Sequence, residues 1–232
     1  MSVELSIPVG EATVAGDLHV PESPYGVVVF AHGSGSSRRS ARNRMVAERL
    51  QERGFATLLA DLLSPDEEQA DQTTGRLRFD IGLLAGRLVA MVDTVSRRWD
   101  TEGLPIGVFG ASTGAAAALI AAATRPETVR AVVSRGGRPD LAASALDAVA
   151  APTLLIVGGD DTQVLRWNRE SAARIQAACR VHVVPGAGHL FEEPGALDQV
   201  AEQAAAWFGT YLPAVADEVV LDGYPDLPGP LP

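Results

Sequence analysis

Residues 105–124, PIGVFGASTGAAAALIAAAT, decide the fold. Their first half is apolar and rich in residues that favour strands, whereas the half after Gly114 is rich in alanine and favours a helix. The pattern G-x-S-x-G lies at the junction of the two halves and is formed by Gly110, Ser112 and Gly114. Glycine on either side of the serine allows a sharp strand-to-helix turn, because neighbouring elements can approach without a clash at Cβ. The stretch therefore predicts a serine exposed at the end of a buried strand, where it can act as a nucleophile.

Apolar runs alternate with helical patterns on both sides of this stretch, which predicts a mostly parallel sheet with helices on both faces. The N-terminal part differs and predicts an antiparallel hairpin of strands over 3–7 and 12–20. The acidic stretch 61–75 is interpreted as a loop. The buried strands are predicted at 26–31, 55–60, 105–109, 129–133, 153–157 and 180–184. The helices are predicted at 40–53, 79–99, 140–148, 163–178 and 195–212, in addition to the one that follows Ser112.

The chain has 232 residues, of which 47% are hydrophobic and 21% are charged. This composition is typical of a globular protein and predicts a single domain over 1–212, followed by an acidic, proline-rich extension over 213–232. The net charge of −10 argues against a nucleic-acid partner or an anionic membrane surface. All 19 basic residues are arginine. The absence of lysine excludes mechanisms that need a P-loop lysine or a pyridoxal Schiff base.

Cofactor and metal chemistry find little support in the sequence. Cys179 is the single cysteine, and the four histidines do not form the H-x-x-x-H spacing of a metal site. We therefore expect no metal and no cofactor. The N-terminal residues lack the basic and apolar regions of a signal peptide, and no apolar run is long enough to span a bilayer, so a cytoplasmic protein is expected. The sequence leaves a homodimer open.

A nucleophilic serine needs a base and an acid that orients the base, and both follow Ser112 in the chain. Asp160 and Asp161 come directly after the predicted strand 153–157, and His189 follows the strand 180–184. The carboxyl ends of parallel strands are where ligands of open α/β sheets bind. Ser112 and His189 are predicted catalytic residues, and Asp160 and Asp161 are both candidates for the acid.

The negative charge of an acyl-transfer intermediate needs backbone N–H groups that point at it. The N–H of Thr113, at the start of a helix, is one predicted donor. The glycine-rich loop after the first buried strand, HGSGS over 32–36, can supply a second, and Ser34 is favoured. His32 is interpreted as a residue that shapes this loop.

With these residues in place, the chain resembles the α/β-hydrolase superfamily and, within it, the dienelactone hydrolase-like serine esterases. The resemblance depends on FAHGSGSS, GVFGASTG, LLIVGGDD and GAGHLFEEPG, and it covers residues 1–212. It implies an α/β-hydrolase fold. The superfamily's usual acid follows the pattern G-x-x-D with an apolar residue three positions later, which Gly158, Asp161 and Val164 match, so the resemblance implies Asp161 as the catalytic acid and leaves Asp160 as the alternative. Because only about 20 residues separate the strands at 129–133 and 153–157, it also implies that no cap domain is inserted there. Dienelactone hydrolase proper uses a cysteine nucleophile, so Ser112 moves the interpretation toward a general carboxylic-ester hydrolase.

The implied function is hydrolysis of a small carboxylic ester through an acyl-enzyme. A thioesterase or an acyltransferase could use the same residues. Two other classes are weaker: a non-catalytic ligand-binding module on the hydrolase fold, and a nucleotide-binding oxidoreductase suggested by the glycine series 107, 110 and 114.

Several residues near the predicted strand ends are candidates for substrate binding. Arg135 and Arg138 could recognise a carboxylate, and Leu190 and Phe191 could line an acyl pocket. The arginines after the glycine-rich loop are interpreted by default as a solvated face, with carboxylate recognition as the alternative: Arg38, Arg39, Arg42 and Arg44.

Overall fold

An eight-stranded sheet forms the centre of the computed structural model, which describes residues 1–212. In space the strands follow the order β1-β2-β4-β3-β5-β6-β7-β8. The strands span Ser2–Val9 (β1), Ala12–His19 (β2), Val27–Ala31 (β3), Ala56–Ala60 (β4), Ile106–Ala111 (β5), Val129–Arg135 (β6), Thr153–Gly158 (β7) and Cys179–Val184 (β8). The predicted extension over 213–232 lies outside the described residues.

The N-terminal strands are antiparallel and the rest of the sheet is parallel, as predicted. β1 and β2 form a hairpin whose turn contains Gly10 at φ 77°, and β2 pairs antiparallel with β4. From β4 to β8 all neighbouring strands are parallel. The chain order reverses at β3, which lies between β4 and β5. In open α/β sheets such a reversal leaves a crevice at the carboxyl ends of the strands, where ligands bind.

Six α-helices cover the two faces of the sheet. They span Ala41–Glu52 (α1), Pro65–Thr74 (α2), Ile81–Arg97 (α3), Thr113–Thr124 (α4), Thr162–Ala172 (α5) and Ala196–Tyr211 (α6). α3 and α4 pack on one face and α1 and α6 on the other. Neighbouring residues of β3 belong to opposite cores: Val27 and Val29 face α3 and α4, whereas Val28 and Phe30 face α1 and α6. This explains why the buried strands are continuously apolar.

The structure corrects three predicted elements. The acidic stretch 61–75 contains helix α2, because Ser64 and Glu67 form a capping box, Pro65 occupies the first turn and Gly75 ends the helix at φ 62°. The predicted helix over 140–148 consists of two 3-10 turns, Pro139–Ala142 and Leu146–Ala148. Helix α5 ends at Ala172 rather than at residue 178.

No cap domain is inserted between β6 and β7 in the described part of the chain, because the connection over 136–152 holds only those two 3-10 turns. Within residues 1–212, none of the helices combines the length and the hydropathy needed to cross a bilayer.

Candidate active site

The predicted catalytic residues lie at the carboxyl edge of the parallel sheet. Ser112 directly follows β5, Asp161 precedes the first residue of α5 just after β7, and His189 lies in the loop after β8. This edge includes the crevice where the strand order reverses at β3. The fold therefore brings to one edge three residues that are far apart in the sequence.

Ser112 occupies a strained backbone conformation, with φ 51° and ψ −120°. An L-residue with positive φ and this ψ is rare and costs about 1–3 kcal/mol, so the surroundings must hold it. Its N–H donates to the carbonyl of Arg135 at 3.2 Å, and its carbonyl accepts from the N–H groups of Ala115 and Arg138, each at 3.1 Å. These bonds fix the turn.

Each glycine of the G-x-S-x-G motif is required for a different steric reason. A Cβ at Gly110 would collide with the backbone of Ala115 in α4, and a Cβ at Gly114 would collide with the carbonyl of Ala31 at the end of β3. Gly114 therefore lets α4 start directly against the strand that carries the glycine-rich loop. In that loop, a Cβ at Gly33 would lie 3.1 Å from Cβ of Ser112, which shows how closely the loop packs on the serine.

His189 and Asp161 form a hydrogen-bonded pair. Nδ1 of His189 lies 2.7 Å from Oδ2 of Asp161, whose side chain is 15% exposed. With Nδ1–H donating to the carboxylate, the other ring nitrogen, Nε2, carries a lone pair and can accept a proton. Asp160 is exposed, and its N–H donates to the carbonyl of Ala187. Of the two aspartates, the structure brings Asp161 to the histidine.

The two residues whose N–H groups are predicted to bind the oxyanion, Ser34 and Thr113, are joined by a hydrogen bond. The N–H of Ser34 donates to Oγ1 of Thr113 at 2.9 Å, so in this structure it is not free as the prediction assumed. The sequence could not reveal this bond, because it depends on the rotamer of Thr113. The N–H of Thr113 lies in the first turn of α4, where backbone N–H groups lack partners within the helix.

His32 fixes the shape of the glycine-rich loop. It is buried, its Nδ1–H donates to the carbonyl of Gly33 at 2.9 Å, and its Nε2 accepts from the N–H of Leu62 at 3.1 Å. Burial lowers the pKa of His32 below its ordinary value, which favours the neutral ring that both bonds require. His32 therefore links β3 to the residues that follow β4.

A cavity of about 220 Å³ opens beside this loop. Residues 32–37, the segment after β4 and helix α2 line it. Asp71 of α2 is buried and pairs with Arg78. Although burial raises the pKa of Asp71, the hydrogen bonds from Arg78 and Leu77 outweigh it and leave the pKa below its ordinary value. This wall differs from the prediction of a loop over 61–75, although Ser64-x-x-Glu67 is a helix-start signal in the sequence.

The four residues predicted to bind substrate have different environments. Arg138 pairs with Asp140 at 2.8 Å and lies over the ring of Trp167 at 4.1 Å. Leu190 is exposed. Phe191 differs from the prediction of an acyl pocket, because its φ of 55° turns it into the core formed with α1 and α6. Arg135 is buried at the end of β6.

Comparison with known proteins identifies relatives that match nearly all the described residues. The model of the dienelactone hydrolase family matches residues 14–211. The crystal structure of dienelactone hydrolase from Anabaena variabilis is 57% identical, with a TM-score of 0.90, and the match covers 91% of this chain and 98% of that one. Est1E from Butyrivibrio proteoclasticus is 16% identical, with a TM-score of 0.75 over 89% of this chain and 98% of its own, and so shares the fold.

Two proteins of Mycobacterium tuberculosis, from strains CDC 1551 and H37Rv, are each 57% identical over 209 residues. They carry the provisional name phosphoribosyl transferase. The match covers 90% of this chain but 46% of theirs, so the chain spans about half the length of these relatives. The family model and the Anabaena structure both support a hydrolase. Since they match nearly all the described residues, the chain belongs to the dienelactone hydrolase family.

Proposed function

We propose that the protein hydrolyses a small carboxylic ester, with Ser112 as nucleophile, His189 as base and Asp161 as the residue that orients His189. The observation that carries this proposal is the 2.7 Å bond between His189 and Asp161 at the sheet edge where Ser112 occupies its strained turn. The serine esterase arrangement requires these features together.

The reaction follows from the roles of these atoms. Nε2 of His189 takes the proton of Ser112 Oγ as the oxygen attacks the ester carbonyl. The N–H of Thr113 stabilises the oxyanion, and the N–H of Ser34 joins it when the Thr113 hydroxyl rotates away. The intermediate then expels the alcohol, which receives the proton from His189, and leaves an acyl group on Ser112. Water, deprotonated by His189, releases the acid and restores the serine.

Hydrolysis is favoured over acyl transfer because the site is open to water. The His189 side chain is 39% exposed, and no cap covers it in the described residues. An acyltransferase must keep water from the acyl-enzyme, which needs a closed site. The transferase name of the mycobacterial relatives describes proteins about twice as long as this chain, and phosphoribosyl transfer would leave the serine turn without a role.

The test is hydrolysis of 4-nitrophenyl esters from acetate to decanoate. We expect Ser112→Ala to lower kcat/KM by about 10⁴–10⁶-fold, and Asp161→Asn by about 10⁴-fold. Asp160→Asn, the neighbouring substitution of the same type, serves as the control and should change kcat/KM less than threefold.

A fluorophosphonate should label Ser112 in the wild-type protein. If no ester is cleaved and Ser112 is not labelled, the esterase proposal is wrong. A thioester series and added alcohol acceptors, measured in the same assay, distinguish the thioesterase and the acyltransferase.

A further inference from the structure

The glycine-rich loop over 32–37 carries Ser34, whose N–H is the second oxyanion donor of the proposed mechanism. Within the loop the backbone makes a turn in which the N–H of Ser36 donates to the carbonyl of Gly33 at 3.2 Å, and Gly35 has φ 71°. A short loop that contains glycine has many accessible conformations unless the rest of the fold restricts it. The position of the Ser34 N–H therefore depends on what holds the two ends of the loop.

Arg38, the first residue after the loop, is held by three carboxylates. Its side chain is only 13% exposed, so it differs from the solvated face that the sequence suggested. Its Nη1 donates to Oδ2 of Asp61 at 2.6 Å, and its backbone N–H donates to Oδ1 of the same carboxylate at 2.8 Å. Asp17 in β2 and Glu4 in β1 accept from the guanidinium at 3.3 Å and 3.0 Å. All three partners belong to the fold, so Arg38 acts on the protein itself.

The two bonds to Asp61 restrict the chain more than a single ion pair does. One carboxylate accepts from the backbone and from the side chain of the same residue, which fixes both the position and the direction of the chain at Arg38. The Asp61 side chain is 19% exposed, so water and salt screen the pair less than an exposed one. The N–H of Asp61 donates to the carbonyl of Ala15 in β2 at 2.9 Å, which anchors Asp61 to the sheet.

The other end of the loop is bound to the neighbouring residue. Nε2 of His32 accepts from the N–H of Leu62 at 3.1 Å. The two ends of the loop are therefore bound to adjacent residues, Asp61 and Leu62, which directly follow β4. Ser34 lies between these fixed points, and its N–H is 2.9 Å from Oγ1 of Thr113 at the start of α4.

We propose that Arg38 and Asp61 are a positioning pair, which holds the glycine-rich loop where the N–H of Ser34 can bind the oxyanion formed on Ser112. The inference rests on the proposed esterase function. A donor must lie about 2.7–3.1 Å from the oxyanion, and a shift of about 1 Å costs about 100-fold in rate. Loss of the pair should therefore destabilise the transition state and leave the binding of the ester unchanged.

The first test compares kcat and KM on the 4-nitrophenyl ester that the wild type cleaves fastest. We expect Arg38→Met to lower kcat by about 10–100-fold and to leave KM within about threefold. Asp61→Ala, which also removes the acceptor for the backbone N–H, should lower kcat by about 100–1,000-fold. In Arg38→Lys the ammonium can still reach Asp61, so kcat should be at least about fivefold higher than in Arg38→Met.

Two control variants lie outside the pair. Glu4→Gln removes only the most exposed of the three partners of Arg38 and should change kcat less than about twofold. Arg125→Met breaks a two-bond pair with Asp93 that joins the C-terminal end of α4 to α3. This substitution is of the same type as Arg38→Met but lies at the opposite end of α4 from Ser112. It should lower the melting temperature and leave kcat unchanged.

Fluorophosphonate labelling of Ser112 to completion counts the active sites and separates a positioning role from a structural one. If Arg38 only stabilises the fold, Arg38→Met lowers the melting temperature and the fraction of labelled Ser112, whereas kcat per labelled site stays at the wild-type value. That result overturns the inference, and so does a rise in KM with kcat unchanged. Asp61→Asn, which keeps an acceptor for the backbone N–H, is the second probe if Asp61→Ala does not fold, and it should lower kcat as Arg38→Met does.

The second test uses an alkyl trifluoromethyl ketone, which measures the stabilisation of the oxyanion without turnover. Oγ of Ser112 adds to the ketone carbonyl, and the adduct carries its negative charge on the former carbonyl oxygen. In Arg38→Met the inhibition constant should rise by about the factor by which kcat falls. Unchanged kcat and an unchanged inhibition constant contradict the inference, while ester hydrolysis that depends on Ser112 still stands. If the wild type cleaves no ester and Ser112 is not labelled, the esterase proposal is wrong and this inference fails with it.

Discussion

Ser112 combines a strained backbone with the nucleophilic role that we propose for it. Its φ of 51° is held by hydrogen bonds to the turn residues, so the strain is maintained by the fold rather than by the serine itself. A relaxed serine at this point would continue either the strand or the helix, and its oxygen would face a neighbouring element. The strained turn places Ser112 at the edge of the sheet, where His189 also lies.

Cys179 raises the question of an alternative nucleophile, because dienelactone hydrolase proper uses cysteine. Cys179 begins β8, at the opposite end of the strand from the loop that carries His189. Burial raises the pKa of its thiol to about 11, which leaves almost no thiolate at neutral pH. We expect iodoacetamide to leave ester hydrolysis unchanged and Cys179→Ala to keep kcat/KM within about twofold. Loss of activity on alkylation, with the Cys179→Ala variant resistant to it, would contradict this.

The sequence predicted the chemistry of single residues better than their hydrogen bonds. The resemblance to the α/β-hydrolases favoured Asp161, and the structure pairs it with His189. The bond from Ser34 to Thr113 and the turn of Phe191 into the core could not be predicted, because they depend on a rotamer and on one backbone angle. The three carboxylate partners of Arg38 likewise become visible only when the packing of the glycine-rich loop against β1, β2 and the residues after β4 is known.

At the scale of elements, the start of α4 determines where Ser112, the proposed nucleophile, lies. The helix begins directly against β3, and this close approach depends on Gly114. The sequence predicted the strand, the turn and the helix here because each has a strong local pattern. It missed α2 because that helix is polar on nearly all sides, so no apolar stripe indicates it, and only the capping box at Ser64 does.

Two glycine-to-alanine substitutions in helices should have opposite effects. Gly114→Ala should lower the free energy of unfolding by roughly 3 kcal/mol or more and abolish ester hydrolysis, because its Cβ would collide with the Ala31 carbonyl. Gly86→Ala, in α3, has open space around its Cβ and should raise the free energy of unfolding by about 1 kcal/mol without affecting activity. Urea unfolding of both variants beside the wild type measures the difference. If the two substitutions change the free energy of unfolding equally, α4 does not pack on β3 as closely as the structure shows.

At the scale of the whole molecule, the sheet carries cores on both faces and the site on one edge. The alternation of strands and helices predicted this arrangement, because each buried strand is apolar on both faces. The position of β3 between β4 and β5 follows from how the chain crosses over, which local patterns do not encode. That position brings the glycine-rich loop beside Ser112, so the site is a property of the topology as much as of its residues.

The stability of the whole domain should fall as the solution becomes mildly acidic. Burial lowers the pKa of His32, and also that of His19 and His182, below the ordinary value of 6.5, so the unfolded chain binds protons that the folded chain does not. The contribution of these histidines to the free energy of unfolding is therefore fully present above about pH 6.5. It is lost as the pH falls below that value, with a slope of at most about 1.4 kcal/mol per pH unit for each histidine. Carboxylates with lowered pKa values, such as Asp93 beside Arg125, continue the loss only below about pH 4.

His32 is the most buried of these histidines, so its replacement should reduce the pH dependence most. In His32→Asn the amide can still donate to the carbonyl of Gly33, whereas the acceptor for the N–H of Leu62 is lost. We expect this variant to be less stable than the wild type at pH 7 by about 1–3 kcal/mol. Its urea midpoint should nevertheless change less between pH 7 and pH 5, because the proton that opposes folding has no site. His182→Asn, at a partly exposed position, is the control and should keep most of the wild-type slope. Equal slopes in the wild type and in His32→Asn would show that His32 is not the group whose protonation opposes folding.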